Sequence, residues 1–300
     1  MNSKKFLIIA ACLCIGLLAQ AQVKLSFNPA KGETYLYRFT AEQSVKQAFM
    51  GQEMLVKTTL QWLIEMTIKE KSANEITMDY VYREVTMDVS SPMVSIKFDS
   101  NKPVEGLTGL EKSMALVLNS FVGNSMKVVF SPDGSVKSIA GAKEIMQEAQ
   151  KNMPSADMAS QQILESYTQT FSDESMKSLF EQSFNIYPGK EVKAGDSWDK
   201  KYTLRPGRMN SDVKNTYTLK SVQNNNAVLD VTSTIVMKPG MEMGMDGTIS
   251  GTQNGEITLN AQTGMLTHST TTQTLKGILS TQGIDVEMDM KSKATVARER

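Results

Sequence analysis

Apolar and polar residues alternate with a period of two through both ends of this chain, which commits most of it to half-buried strands. Tyr35, Tyr37 and Phe39 alternate with Leu36, Arg38 and Thr40. Trp62, Ile64, Met66 and Ile68 alternate with Leu63, Glu65, Thr67 and Lys69, and Ile76, Met78, Tyr80 and Tyr82 follow across a polar turn at 71–74. One apolar and one wet face mark antiparallel sheet, because parallel strands are covered on both sides and read as unbroken apolar runs. Residues 94–98, 127–130 and 136–139 are further expected strands. Ser131-Pro132-Asp133-Gly134 joins the last two, its proline and glycine suiting a type I turn. The pattern resumes at 212–221, 227–237, 241–249, 256–260, 265–274 and 284–296, for about twelve strands in all.

The middle has a different period. Leu107, Leu110, Met114, Val117, Leu118 and Phe121 recur at three- and four-residue spacing, giving one apolar helix face. Residues 142–152 are rich in good helix formers and end before Pro154. A helix restarts over 155–168. Ser172, followed by Asp173 and Glu174, reads as the N-cap of another, whose face is Met176, Leu179, Phe180 and Phe184 before Pro188-Gly189. Strands, then helices, then strands imply an α+β fold, with a large curved antiparallel sheet and a helical segment packed against it.

The two strand blocks also resemble each other. Lys31-Gly32-Glu33-Thr34-Tyr35 matches Lys193-Ala194-Gly195-Asp196-Ser197-Trp198. The stretch from Met66 to Asp79 matches that from Tyr217 to Asp230, and the hairpin at 129–136 matches that at 258–266. Three elements in the same order suggest a duplicated half-unit. Helices would then be additions to the first copy.

The start of the chain is an address. Lys4 and Lys5, an apolar run from Phe6 to Ala19, and Ala19-Gln20-Ala21 form a secretory signal peptide, with cleavage expected after Ala21. Ile9-Ala10-Ala11-Cys12 has the look of a lipoprotein site. Cleavage there would leave too short an apolar run before the cysteine and a greasy mature start, so a lipid anchor at Cys12 is not expected. Removal of Lys4 and Lys5 takes the formal charge from 0 to −2, and Cys12 and Cys14, the only cysteines, leave with the leader. Thiol nucleophiles, cysteine zinc sites and disulfides are thereby excluded from the mature chain. Balanced charge argues against nucleic acid as a partner, and no later apolar run is long enough for a transmembrane helix. We read 22–300 as one β-rich exported domain: a first strand block at 22–140, a helical segment at 141–187 and a second strand block at 188–300.

Candidate chemistry is sparse. The single histidine, His268, sits on an expected strand, and no serine lies in a G-x-S-x-G elbow. Phosphate and dinucleotide glycine loops are absent from the sequence. Asp285, Glu287 and Asp289 alternate with Val286, Met288 and Met290, as on any solvated strand face. We expect no catalytic residues, no cofactor and no metal site. Methionine is the compositional anomaly, with 21 residues. Met241, Met243 and Met245 fall on one side of a strand, where thioethers could take Cu(I). The run lacks His and Cys, however, and other methionines occupy core positions of their own elements, so core or cavity lining is the expectation. Trp62, Tyr80 and Tyr82 are the aromatic candidates for a ligand- or core-facing surface.

Phe27-Asn-Pro-Ala-Lys-Gly-Glu-Thr-Tyr-Leu-Tyr, Lys-Ala-Gly-Asp-Ser-Trp at 193–198 and Gly-Glu-Ile-Thr-Leu-Asn-Ala-Gln-Thr-Gly-Met-Leu at 255–266 resemble exported Bacteroidota proteins of an uncharacterised, β-rich family. That resemblance implies export and a β-rich fold, and no activity. The functional expectation is a non-catalytic binding or interaction protein of the bacterial cell envelope, in the periplasm or at the outer membrane. One version carries an apolar, lipid-like small molecule in a half-barrel cavity; another docks an envelope protein through a purely structural surface. A cavity between sheet and helices would separate the two.

Overall fold

The computed structural model describes residues 22–49, 52–153, 158–204, 209–239, 245–281 and 283–299. The leader through Ala21, and Met241 and Met243, lie outside them. In chain order the elements are β1 (Val23–Lys24), β2 (Thr34–Phe49), β3 (Gln52–Lys71), β4 (Ile76–Ser90), β5 (Ser95–Asp99), α1 (Gly109–Phe121), β6 (Ser125–Phe130), β7 (Val136–Ala140), α2 (Ala142–Asn152), α3 (Met158–Thr170) and α4 (Asp173–Phe184). There follow β8 (Glu191–Val192), β9 (Ser197–Leu204), β10 (Met209–Gln223), β11 (Asn226–Pro239), β12 (Met245–Asn260), β13 (Leu266–Thr281) and β14 (Ile284–Arg298).

Twelve of these strands form one antiparallel sheet, in the order β7-β6-β4-β3-β2-β14-β13-β12-β11-β10-β9, with β5 paired to β4. β1 and β8 make a separate two-stranded sheet. Strands expected at 241–249 and 256–260 are one strand, β12, whose pairing with β11 and β13 runs unbroken across Gly251 and Gly255. The glycines there are not turn residues. A Cβ on Gly251 would lie 1.9 Å from the Thr274 carbonyl oxygen, and one on Gly277 would lie 2.0 Å from that of Thr248. Glycine on the inward face is what lets β12 and β13 approach and coil this tightly. β2 and β3 are also longer than their alternation indicated, pairing from Thr34↔Thr67 out to Phe49↔Gln52.

The two blocks repeat each other in hydrogen bonds as well as sequence. Gly32 N–H donates to the Ile68 carbonyl and Ile68 N–H to that of Glu33; Gly195 and Leu219 make the same pair of bonds, with Asp196 in the place of Glu33. The carboxylates of Glu33 and Asp196 each accept from a backbone N–H three residues earlier, at 2.9 Å. Thr34 and Thr67 hydroxyls meet at 3.1 Å, Ser197 and Thr218 at 2.8 Å. Bulges recur at Ile68/Glu70 and Leu219/Ser221, and again at Val129/Phe130 and Thr258/Leu259. Each half-unit is thus a five-stranded meander, β2-β3-β4-β6-β7 and β9-β10-β11-β12-β13. Both run the same way around the sheet, with β14 as the joint to β2.

The sheet curls until its edge strands β7 and β9 both pack on α4. The helix, and not a β7–β9 ladder, spans that seam. Val136 N–H on β7 donates to the Glu181 carboxylate at 2.7 Å. On the other side, Lys200 donates to the Asn185 side chain and the Tyr202 hydroxyl to the Asn185 carbonyl, both at 2.7 Å. α4 begins at the expected cap, where the Ser172 hydroxyl accepts from Ser175 N–H. α1 packs on β4 and β5 and against α2 and α3.

Inward positions hold the core: Tyr37, Ile68, Met78, Phe130, Leu219 and Leu229 are almost wholly buried, as are Val117, Leu118 and Phe121 of α1. Each such side chain contributes about 1.5–3 kcal/mol of burial. The outward face of the second block is polar, with Lys220 bridging Asp230 and Glu256, and Lys276 paired to Asp289. Exposed pairs of this kind add about 0–1 kcal/mol each. This polarity is the reverse of a membrane-spanning barrel, which turns its apolar residues outward. No helix among the described residues is long and apolar enough to cross a membrane.

Candidate functional site

The helices cover only part of the concave face. Between the sheet and α4 lies a cavity of about 540 Å³, within the roughly 300–1,000 Å³ typical of small-molecule sites. One wall is aromatic. Trp62 and Tyr82 have ring centroids 4.4 Å apart, Tyr80 meets Tyr82 edge-on at 5.1 Å, and Phe180 of α4 stands over Tyr80 at 4.9 Å. The opposite wall comes from the second block, through Tyr217, Val231, Ile257 and Leu259. α4 supplies Met176, Leu179, Phe180 and Phe184. Leu179, 37% exposed, is the most open of these.

The frame around the cavity is pinned by aromatic polar groups. Tyr37 hydroxyl donates to the Leu266 carbonyl and Tyr187 hydroxyl to that of Gly264, both at 2.9 Å. Trp198 N–H donates to the Ile186 carbonyl at 2.7 Å. The last two tie the chain leaving α4 to the β12–β13 turn and to β9, so the C-terminal end of the helix is anchored. Gly264 is required at that turn: its φ is +72°, and a Cβ would lie 2.1 Å from the Ser26 carbonyl oxygen.

Among the described residues no charged side chain lines the cavity; its polar members are hydroxyls and amides. Burial pushes the lining phenols of Tyr37 and Tyr80 well above the ordinary tyrosine value, and that of Tyr82 up to about 12. They stay protonated near neutral pH, which suits them to packing and hydrogen bonding and not to proton abstraction. The lining is therefore uncharged and largely apolar near neutral pH.

Trp62, Tyr80 and Tyr82 come together on one wall. Met245 does not join them. It is half-buried beside a second apolar cluster around Val213, Ile235, Ile249, Leu275 and Leu279, where Met209, Met237, Met288 and Met290 also pack. The methionines that line the cavity are Met66, Met176 and Met265. Periodicity gave α4 its apolar face of Met176, Leu179, Phe180 and Phe184 but named neither that face nor the second-block wall as ligand-facing; the match of the stretch from Met66 with that from Tyr217 is the one signal that pairs Tyr217 with a cavity-lining residue of the first block. His268 is exposed and its ring lies 3.2 Å from the Thr270 hydroxyl, on the outer surface. Among the described residues no three His, Cys, Asp or Glu side chains gather as a metal site would require.

Solved structures with some likeness include an outer membrane channel from Pseudomonas putida F1, 6% identical, covering 91% of this chain and 97% of that one at a TM-score of 0.21. OccK5 of Pseudomonas aeruginosa is 4% identical, with 90% and 100% covered and a TM-score of 0.27. OmpF of Salmonella typhi is 7% identical, with 88% and 98% covered and a TM-score of 0.26. Likeness at these scores transfers neither fold nor role. No curated protein matches the chain. A family model does: that of DUF6263, a family of unknown function, matches residues 73–266. That span is well over half of the sequence and runs from the β3–β4 turn across all four helices to the start of β13, so this chain belongs to the DUF6263 family.

Proposed function

We propose that this is an exported, non-catalytic binding protein of the bacterial cell envelope that carries an apolar small molecule in the cavity between sheet and α4. The observation that supports this reading is the cavity itself, about 540 Å³ with aromatic and aliphatic walls and no charged lining residue. A protein that only docked others would gain by filling such a space, since unfilled volume costs stability in proportion to its size. Export rests on the leader that ends at Ala21.

Leu179→Lys tests the reading. Leu179 reaches the cavity from the more exposed side of α4, so the lysine can extend to water in the free protein while an ammonium opposes an apolar occupant. Retention of an apolar dye such as Nile red should fall at least tenfold, with the circular dichroism of the sheet unchanged. Undiminished retention in the folded variant would overturn the proposal.

A further inference from the structure

The residues that follow the leader tie the two half-units together. Val23 and Lys24 pair with Val192 and Glu191. Leu25 and Phe27 are then almost wholly buried. Phe27 N–H donates to the Pro132 carbonyl at 3.0 Å, and Asn28 N–H to that of Thr263 at 2.8 Å. Pro132 and Thr263 belong to the β6–β7 and β12–β13 turns, the matching hairpins of the two blocks. The Phe27 ring also packs on Phe130 of β6, with centroids 5.0 Å apart, and on Phe184 of α4, at 5.4 Å. Removing the first few residues of the mature chain, through Phe27, would undo all of these contacts.

Chain ends are where proteolysis concentrates, so the chemistry of this end matters. Cleavage after Ala21 leaves Gln22 as the first residue. Gln22 is exposed, and it stands outside the β1–β8 ladder, whose first pair is Val23 with Val192. The cleaved chain therefore presents an α-amine and a carboxamide on one residue, both in water. An α-amine titrates near about 8, so an appreciable share of it is the free base near neutral pH. Attacker and carbon sit in the same residue, and that proximity offsets the poor reactivity of an amide.

We propose that Gln22 is a modification site, where the newly exposed glutamine cyclises to pyroglutamate and caps the segment that joins the half-units. This rests on the export reading above. The Nα–Cδ bond forms and the Cδ–Nε2 bond breaks. Nε2 leaves as ammonia, taking the proton that the amine gives up, so no further reactant is consumed. The carbonyl of Gln22 and all residues after it are untouched, and β1 keeps its pairing. The product carries no terminal charge, and an aminopeptidase that grips a free α-amine finds none.

The test is the intact mass and N-terminal sequence of the mature protein, purified from the cell that exports it. The chain should begin at residue 22 and be lighter by one ammonia than its sequence requires. It should resist stepwise degradation from the amine end until pyroglutamyl aminopeptidase has removed one residue. Gln22→Ala leaves Ala19 and Ala21 in place, so it should be cut at the same bond and keep its amine free. A broad aminopeptidase should then trim that variant at least tenfold faster than the native chain. A native chain that begins at residue 22 with its amine free, or that is trimmed as fast as the variant, would overturn this inference and leave the export reading standing. So would a chain that begins at Cys12. A chain that keeps its whole leader would overturn both.

Discussion

The first and second half-units start from the same motif, carry the same bulges and run in the same sense, yet they wall the cavity differently: the first with Trp62, Tyr80 and Tyr82, the second with Tyr217, Val231 and Ile257 beside Asn215 and Gln253. The first unit received the helices: α1 enters between β5 and β6, and α2 to α4 follow β7. They settle mainly on β4, β5, β7 and β9, and the inner face of β2, β3 and β4 between them still borders the cavity through Trp62, Ile64, Tyr80 and Tyr82. The second unit borders it from the other side, where Asn215 takes the place of Ile64; Ser233, its partner across the strands, takes the place of Tyr82 but lies behind the lining. On the carrier reading proposed above, the second copy is the one that departs from good packing, because partly satisfied polar groups lower stability.

Exchanging the distinguishing pair should break this comparison most sharply. Ile64→Asn places an amide in an aromatic wall and should cost about 3–5 kcal/mol by urea denaturation, combining lost burial with an unmatched polar group. Asn215→Ile, the reverse change, should stay within about 1 kcal/mol of the native chain or stabilise it. Similar costs for the two would contradict the proposed division of labour.

Turn glycines give the next contrast. A Cβ on Gly134 would lie 1.9 Å from the Phe184 carbonyl oxygen, whereas nothing lies within 4 Å of one on Gly32, and both have positive φ. Gly134→Ala should therefore cost about 2–4 kcal/mol, from strain plus a shifted α4, and Gly32→Ala about 1 kcal/mol. Equal values in thermal melts would mean that α4 is not held against the β6–β7 hairpin.

Trp198→Phe removes the N–H that reaches the Ile186 carbonyl and should cost about 1–2 kcal/mol, together with weaker dye retention as the exit of α4 loosens. Smallest of all, Thr34→Val and Ser197→Ala each delete one exposed hydroxyl pair that the units share. Each should change stability by no more than about 0.5 kcal/mol, and by similar amounts. A large asymmetry would show that the shared motif bears different loads in the two copies.

Much of this architecture was legible in residue order. Alternation gave the antiparallel sheet, the Ser172 cap and its apolar stripe gave α4, and the paired motifs gave the half-units, because each is a local pattern read over a few residues. Strand continuity through Gly251 and Gly255 was not legible: glycine in a turn and glycine on a tightly coiled concave face look alike until the neighbouring backbone is in place. The cavity was legible in half. Trp62, Tyr80 and Tyr82 announced an aromatic inward face, but which inward positions border space and which border a helix depends on where α4 comes to rest. The cross-strand alignment of Asn215 with Ser233 and of Ser233 with Gln253 is a register property. Asn215, Ser233 and Gln253 are unremarkable along the chain and align only when three strands are paired.

Native mass spectrometry of the mature chain, taken gently from the cell that exports it, tests the central claim most directly. The account predicts a non-covalent adduct of one apolar, lipid-like molecule per chain, lost on organic extraction and replaced by 1-octadecene. A chain that is bare as isolated, and that takes up no 1-octadecene afterwards, would contradict it.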